Sequence, residues 1–168
     1  MKDSIQTNPF VVGRYISDRY FCDRKEETAL LLKHIENGRN VALISPRRMG
    51  KTGLINHCFG QTQLEGFHTF FVDIYATTSL TELVYLLGKA IYEELRPKNR
   101  TWIDRFLRTV SSLRMGVRFD PTTGEPSLDI SLGDIQAPQT TLDEIFQYLE
   151  TADRPCVVAI DEFQQIGN

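Results

Sequence analysis

Cysteine is scarce in the 168 residues: Cys22, Cys58 and Cys156 are all there is. They are odd in number, far apart and without metal-ligand spacing, so no disulfide framework or zinc site is expected, and they suit a reducing cytosol. Long apolar runs are missing as well. None approaches membrane-spanning length, and the opening M-K-D-S-I-Q-T-N-P-F has no apolar leader segment, so the expectation is a cytoplasmic chain with no membrane partner. A basic excess is also absent. The net charge of −3 and pI near 5.6 give no global electrostatic reason for nucleic-acid binding. There is no internal repeat or low-complexity tract, and His34, His57 and His68 share no spacing suited to a metal or a catalytic triad. What is there, 41% hydrophobic and 24% charged residues, fits one ordinary α/β domain.

Residues 40–56, N-V-A-L-I-S-P-R-R-M-G-K-T-G-L-I-N, organise the rest. Val41 to Ile44 reads as a strand buried on both faces. Pro46 lacks a backbone donor and Arg47 and Arg48 demand solvent or an anion, so Ser45 to Met49 leaves the strand as a loop. Gly50, Lys51, Thr52 and Gly53 then open a helix. Strand, anion-seeking loop and helix in that order give a G-K-T triplet the meaning of phosphate binding. Gly50 lets the main chain approach closely, Lys51 reaches the β/γ-phosphates of ATP as a point charge, and the Thr52 hydroxyl ligates Mg²⁺. The usual signature begins with a glycine, and here that position is Ser45. Arg47 and Arg48 either touch phosphates or are simply solvated.

Elsewhere the pattern alternates helices and strands. Residues 1–20 are a lead-in, polar at first and then aromatic-rich without a period. Asp23 and Glu26 form a capping box for a helix running to Asn37-Gly38, with Ala29, Leu31, Leu32 and Ile35 inward. A helix over 51–60 buries Leu54, Ile55, Cys58 and Phe59. His68 to Tyr75 is a strand, with Asp73 preferred as its end cap. Ser79 and Glu82 cap a helix whose stripe is Leu80, Leu83, Val84, Leu87, Ala90, Ile91 and Leu95, stopped by Pro97. Residues 101–113 form another, burying Trp102, Phe106, Val110 and Leu113. Residues 115–132 read as a β-hairpin around D-P-T-T-G, which either decorates the fold or docks a partner. Thr141 and Glu144 cap the last helix.

P-C-V-V-A-I-D-E-F then delivers two carboxylates at the tip of a buried parallel strand, the edge at which open α/β sheets bind ligands. Asp161 is expected to share Mg²⁺ with Thr52 through a water, and Glu162 to orient and activate a water against the γ-phosphate.

Taken together, F-C-D-R-K-E-E-T-A-L-L, S-P-R-R-M-G-K-T and V-V-A-I-D-E-F-Q resemble the archaeal-type ATPase branch of the STAND/AAA+-like P-loop ATPases, a branch with bacterial members as well. The resemblance covers roughly residues 10–168. It implies a three-layer α/β/α P-loop NTPase fold with a parallel sheet of additional-strand type, in spatial order 5-1-4-3-2. It implies a glutamate base after the Mg²⁺ aspartate and conformational switching between ATP and ADP states. It also places Phe21 to Arg24 near the adenine, although Asp23-x-x-Glu26 reads equally well as a helix cap. Residues 21–168 would be the N-terminal portion of the ATPase domain, truncated after the acidic (Walker B) strand, with 115–132 as a hairpin insertion. The family's sensor, arginine-bearing region and lid lie beyond such a piece. The chain is therefore expected to be a fragment, weak or inactive alone, whose open sheet edges invite self-association and whose missing region leaves room for a protein or DNA partner. An alternative function is a nucleotide-gated binding module with little hydrolysis. A phosphotransferase on the same loop is a third.

Overall fold

A computed structural model describes residues 21, 24–46, 48–96, 100–113, 116–119, 126–129 and 135–164. The lead-in 1–20, Cys22, Asp23, Arg47 and the turn of the expected hairpin lie outside the described residues. The chain divides into two compact units, Met1–Glu65 and Gly66–Asn168, each taken by itself below.

In the first unit, α1 (Lys25–Glu36) starts with Arg24 at its N-cap position and carries Glu26 and Glu27 in its first turn and Lys33 and His34 in its last, complementing the helix dipole. Arg24 makes no side-chain cap bond there, and the expected box of Asp23 with Glu26 rests on Asp23, outside the described residues. Its end is as expected. Gly38 takes a left-handed φ of 64°, its N–H donates to Ile35 O at 2.9 Å, and Arg39 N–H donates to His34 O at 2.9 Å. Those two bonds are a Schellman closure, which satisfies carbonyls that the helix ladder leaves over. Thr28 and Leu32 form its buried side, and Ala29, expected inside, is exposed. The next helix, α2 (Lys51–Phe59), buries Leu54, Ile55 and Cys58, packs against α1, and is followed by a single 3₁₀ turn, Thr62–Leu64.

The expected strand at Val41 to Ile44 is not formed. These residues belong to no sheet, all four are exposed, and Ile44 is 93% exposed. An apolar run becomes a strand only when neighbouring strands accept its main-chain hydrogen bonds and cover its side chains. Among the described residues neither happens here.

The second unit is mixed α/β around a two-stranded parallel sheet. Strand β1 (His68–Asp73) pairs with β4 (Cys156–Asp161) in the register His68↔Cys156 through Asp73↔Asp161. His68, Phe70 and Val72 alternate inward on β1, as a sheet covered on one face requires. All six residues of β4 are only half-buried, against the expectation of a fully buried strand. With β1 as its one partner among the described residues, β4 keeps an open edge.

Helix α3 (Leu80–Leu95) begins as the sequence predicts: Ser79 Oγ accepts from Glu82 N at 3.2 Å, and the Glu82 carboxylate reaches back to Thr78 N at 2.6 Å. Its buried residues Val84, Leu87, Ile91 and Leu95 recur at helical spacing. They meet α4 (Arg100–Thr109) through Phe106, and α5 (Pro138–Thr151) through Ile145 and Tyr148, in one core with Phe70, Val72 and Ile74. The Phe106 and Tyr148 rings sit edge to face at 5.1 Å. Strands β2 (Gly116–Phe119) and β3 (Pro126–Asp129) form the expected antiparallel hairpin. Helix α5 starts three residues before its expected cap, because Pro138 occupies the first helical turn, where a missing N–H costs nothing. No described helix is long and apolar enough to cross a membrane.

Candidate functional site

The residues singled out from sequence fall into both units. In the first, the loop from Ser45 closes on the start of α2. Lys51 Nζ, half-buried, donates to Ser45 O at 3.1 Å, bridging from the first residue of α2 back to the first of the loop. Ser45 Oγ donates to Pro46 O at 3.3 Å. Gly50, the N-cap of α2, has φ 71°, a left-handed conformation that glycine adopts without penalty. Arg48 has φ 64° with no such excuse. Met49 is half-exposed and Pro46 exposed. The helical ladder of α2 opens with Leu54 N donating to Gly50 O at 3.0 Å, so the amides before it, at Lys51, Thr52 and Gly53, belong to the helix's positive end. Thr52 is exposed in that turn.

The resemblance places Arg24 near the adenine. Its guanidinium donates to Met49 O, the carbonyl immediately before Gly50. Phe21 stacks on His57 of α2, with ring centroids 4.0 Å apart and planes 16° from parallel. Sequence reasoning passed over His57, and the spacing of histidines along the chain could not have revealed a partner 36 residues away (57 against 21). Buried Cys58 has its thiol pushed up to about 11, chiefly by burial, so it carries almost no thiolate at neutral pH and is no nucleophile.

In the second unit, Asp161 ends β4, level with Asp73 at the end of β1. Asp73 Oδ1 accepts from Tyr75 N at 2.9 Å, the strand-end cap read from sequence. Asp161 Oδ1 accepts from Glu162 N at 3.0 Å, and Glu162 turns the chain with φ 59°. Gln164 Nε2 donates to the Glu162 carboxylate. Arg48 and Glu162 are the only described non-glycine residues with positive φ, and each sits in one of the two motifs. Among the described residues no three His, Cys, Asp or Glu side chains gather as a metal cage. Mg²⁺ does not need one, since it is commonly held by one or two protein oxygens with water and phosphate supplying the rest.

Two polar clusters escaped the sequence. Ser112 Oγ donates to Glu144 Oε2 at 2.6 Å and lies 2.7 Å from the buried Thr141 Oγ1, while Ser111 Oγ donates to Glu144 Oε1 at 3.0 Å. Glu144 thus ties the end of α4 to α5 instead of capping its own helix. Buried His68 has Nε2 3.3 Å from Asp153 Oδ1, Trp102 meets its ring edge to face at 4.5 Å, and the Arg154 guanidinium covers the Trp102 ring at 4.7 Å.

No family model and no solved structure matches the chain. A stretch of 60 residues is 37% identical to a 3',5'-cyclic-nucleotide phosphodiesterase of Helicobacter pylori (strain ATCC 700392 / 26695), covering 36% of this chain and 17% of that protein.

Proposed function

We propose that the chain carries the nucleotide-binding part of a Mg²⁺-dependent P-loop ATPase of the archaeal-type STAND/AAA+-like branch. The observation that carries the reading is the Lys51 Nζ bond to Ser45 O across a loop that runs into a helix through a left-handed glycine. A lysine held over its own loop by one carbonyl can exchange that neutral acceptor for phosphate oxygens, gaining a charge-assisted bond. Backbone strain at Arg48 and Glu162 adds weight, because positive φ at a side-chain-bearing residue persists only where surrounding structure imposes it, and such residues concentrate at functional sites. The parallel pairing of β1 with β4 also agrees with the additional-strand order, in which these two strands are neighbours.

In this reading Lys51 and the amides of the first turn of α2 bind the β/γ-phosphates of ATP. Thr52 and Asp161 are the residues that would offer oxygens to Mg²⁺, which would offset charge on the phosphate oxygens. Glu162 orients the attacking water and accepts its proton as the bond between the γ-phosphorus and the ADP oxygen breaks. Hydrolysis would drive or reset a conformational change of the parent protein.

Titration with a fluorescent ATP analogue, with and without Mg²⁺, tests the reading. Lys51→Ala should weaken Mg²⁺-dependent binding about 10- to 100-fold, the worth of one charge-assisted contact. Equal binding by Lys51→Ala, or none by the folded wild-type chain, would overturn it. The cyclic-nucleotide phosphodiesterase match makes 3',5'-cyclic nucleotides the second ligand to assay, and their hydrolysis in place of ATP binding would favour that activity instead.

A further inference from the structure

Arg24 is anchored at both ends. Its carbonyl accepts from Thr28 N at 2.9 Å and from Thr28 Oγ1 at 2.7 Å, which fixes its backbone to the first turn of α1. Its guanidinium spans 25 positions to Met49 O. Helix α1 also packs against α2. So α1 meets the loop-and-helix segment twice, once by packing on α2 and once at the peptide that leads into it.

The second grip has a consequence for anion binding. The peptide unit between Met49 and Gly50 is planar and trans, so its C=O and its N–H point in opposite directions. Holding Met49 O against the Arg24 guanidinium therefore fixes the direction of the Gly50 N–H. It also keeps an electronegative carbonyl from turning towards an incoming phosphate. The left-handed φ of Gly50 belongs to the same turn. Without Arg24 that peptide can rotate, and a loop that must order its amides on binding binds more weakly.

We infer that Arg24 is a positioning residue of the phosphate loop: it acts through the Met49 carbonyl to aim the Gly50 amide at a polyphosphate, and it does not contact the nucleotide base. The inference rests on the phosphate-loop reading above and changes the role that the family resemblance implied for Arg24. The predicted signature is indifference to the base. ATP and inorganic triphosphate lose affinity together when the guanidinium is removed, whereas a base contact affects ATP alone.

The experiment is competition of ATP and of inorganic triphosphate against a fluorescent ATP analogue, on wild type, Arg24→Ala and Arg24→Lys. Circular dichroism confirms that each is folded. Arg24→Ala should weaken both ligands by the same factor, about tenfold. Arg24→Lys, which keeps one charged donor, should recover part of the loss for both. The Gly50 amide resonance should shift in Arg24→Lys, a readout that simple helix packing would not move. Loss of ATP affinity with triphosphate unchanged would overturn the inference in favour of a base contact, and so would unchanged affinity for both. If Arg24→Ala does not fold, Arg24→Lys decides by the same comparison: equal weakening of both ligands supports the inference, and an effect on ATP alone or on neither overturns it. Wild type that binds neither ligand would overturn the phosphate-loop reading itself, a result distinct from all of these.

Discussion

The candidate phosphate loop precedes Glu65 in the sequence, and the larger hydrophobic core follows it. Before it lie Arg24, the loop from Ser45 and the first turn of α2, supported by a small buried set: Leu32, Leu54, Ile55, Cys58 and Leu64. After it, Phe70, Val72, Ile74, Val84, Leu87, Ile91, Phe106, Ile145 and Tyr148 join one continuous core. The first unit leaves Val41, Leu43 and Ile44 in solvent, and the second exposes few large apolar side chains inside its helices. Polar side chains follow the same division. In the second unit they knit elements together, as Glu144 does with Ser111 and Ser112. In the first, the bonds of Arg24 and Lys51 end on loop carbonyls. In the proposed reading the Lys51 bond gives way to a ligand while the Arg24 bond stays as a brace, and a scaffold is held by packing.

The largest expected effect tests that division directly. Phe106→Ala should cost about 3–5 kcal/mol, as deletion of a fully buried ring does, and Leu32→Ala about 2–3 kcal/mol. Trp102, the only tryptophan, lies beside His68 in the second unit and reports on it. In urea, Phe106→Ala should lower the midpoint of the Trp102 fluorescence transition, while Leu32→Ala should leave it in place and alter the helical signal. If both substitutions move the tryptophan midpoint equally, the two units unfold as one and the contrast fails.

Next comes the tether between α4 and α5. Burial works against the charge of Glu144, and the bonds donated by Ser112 and Ser111 outweigh it, holding its carboxyl below the usual range. At Asp153 burial is likewise outweighed, chiefly by the bond to His68. A carboxyl whose pKa is depressed on folding contributes stability above its unfolded pKa and loses it as pH falls through the folded one. The second unit should therefore be fully stable above about pH 5 and weaken steadily below about pH 4. Glu144→Gln should cost about 1 kcal/mol at neutral pH and flatten that acid dependence. An acid profile of the Trp102 transition that is unchanged in Glu144→Gln would show that the tether contributes nothing.

How much of this could be read in advance followed sequence distance. The helix of α3 with its Ser79 cap, the strand of β1, the β2–β3 pair and the Gly38 closure are local patterns, set within a few residues, and they appear where the sequence puts them, although Leu80 at the head of the α3 stripe is exposed. Expectations that depended on distant partners fared differently. Val41 to Ile44 has the composition of a buried strand, but strand formation depends on neighbours that composition cannot supply. Thr141 looked like a cap, yet Pro138 starts α5 earlier and frees the Thr141 hydroxyl for Ala137 O and Ser112. Arg24 with Met49, Ser112 with Glu144 and His68 with Asp153 are separated by 25, 32 and 85 positions, and no periodicity connects them. Of the candidate site, sequence supplied the residues of the loop and of the acidic strand end. The bond that braces the loop had to come from the fold.

The smallest effect concerns Tyr148, at the centre of the second core. Its ring is buried against Phe106, and among the described residues its Oη has no hydrogen-bond partner. Burial, the largest cause, pushes the phenol pKa up, so the group stays neutral at all accessible pH. An unsatisfied buried hydroxyl is a cost, while the ring contacts survive in phenylalanine. Tyr148→Phe should therefore leave the Trp102-monitored midpoint unchanged or raise stability by up to about 1 kcal/mol. It is the one core substitution here expected not to destabilise, which makes it a control for Phe106→Ala. A loss of more than about 1 kcal/mol, the worth of a made hydrogen bond, would show that the hydroxyl has a partner in solution. The second unit would then be held at its centre by a polar bond as well as by packing, and the contrast with the first unit would narrow to the loop alone.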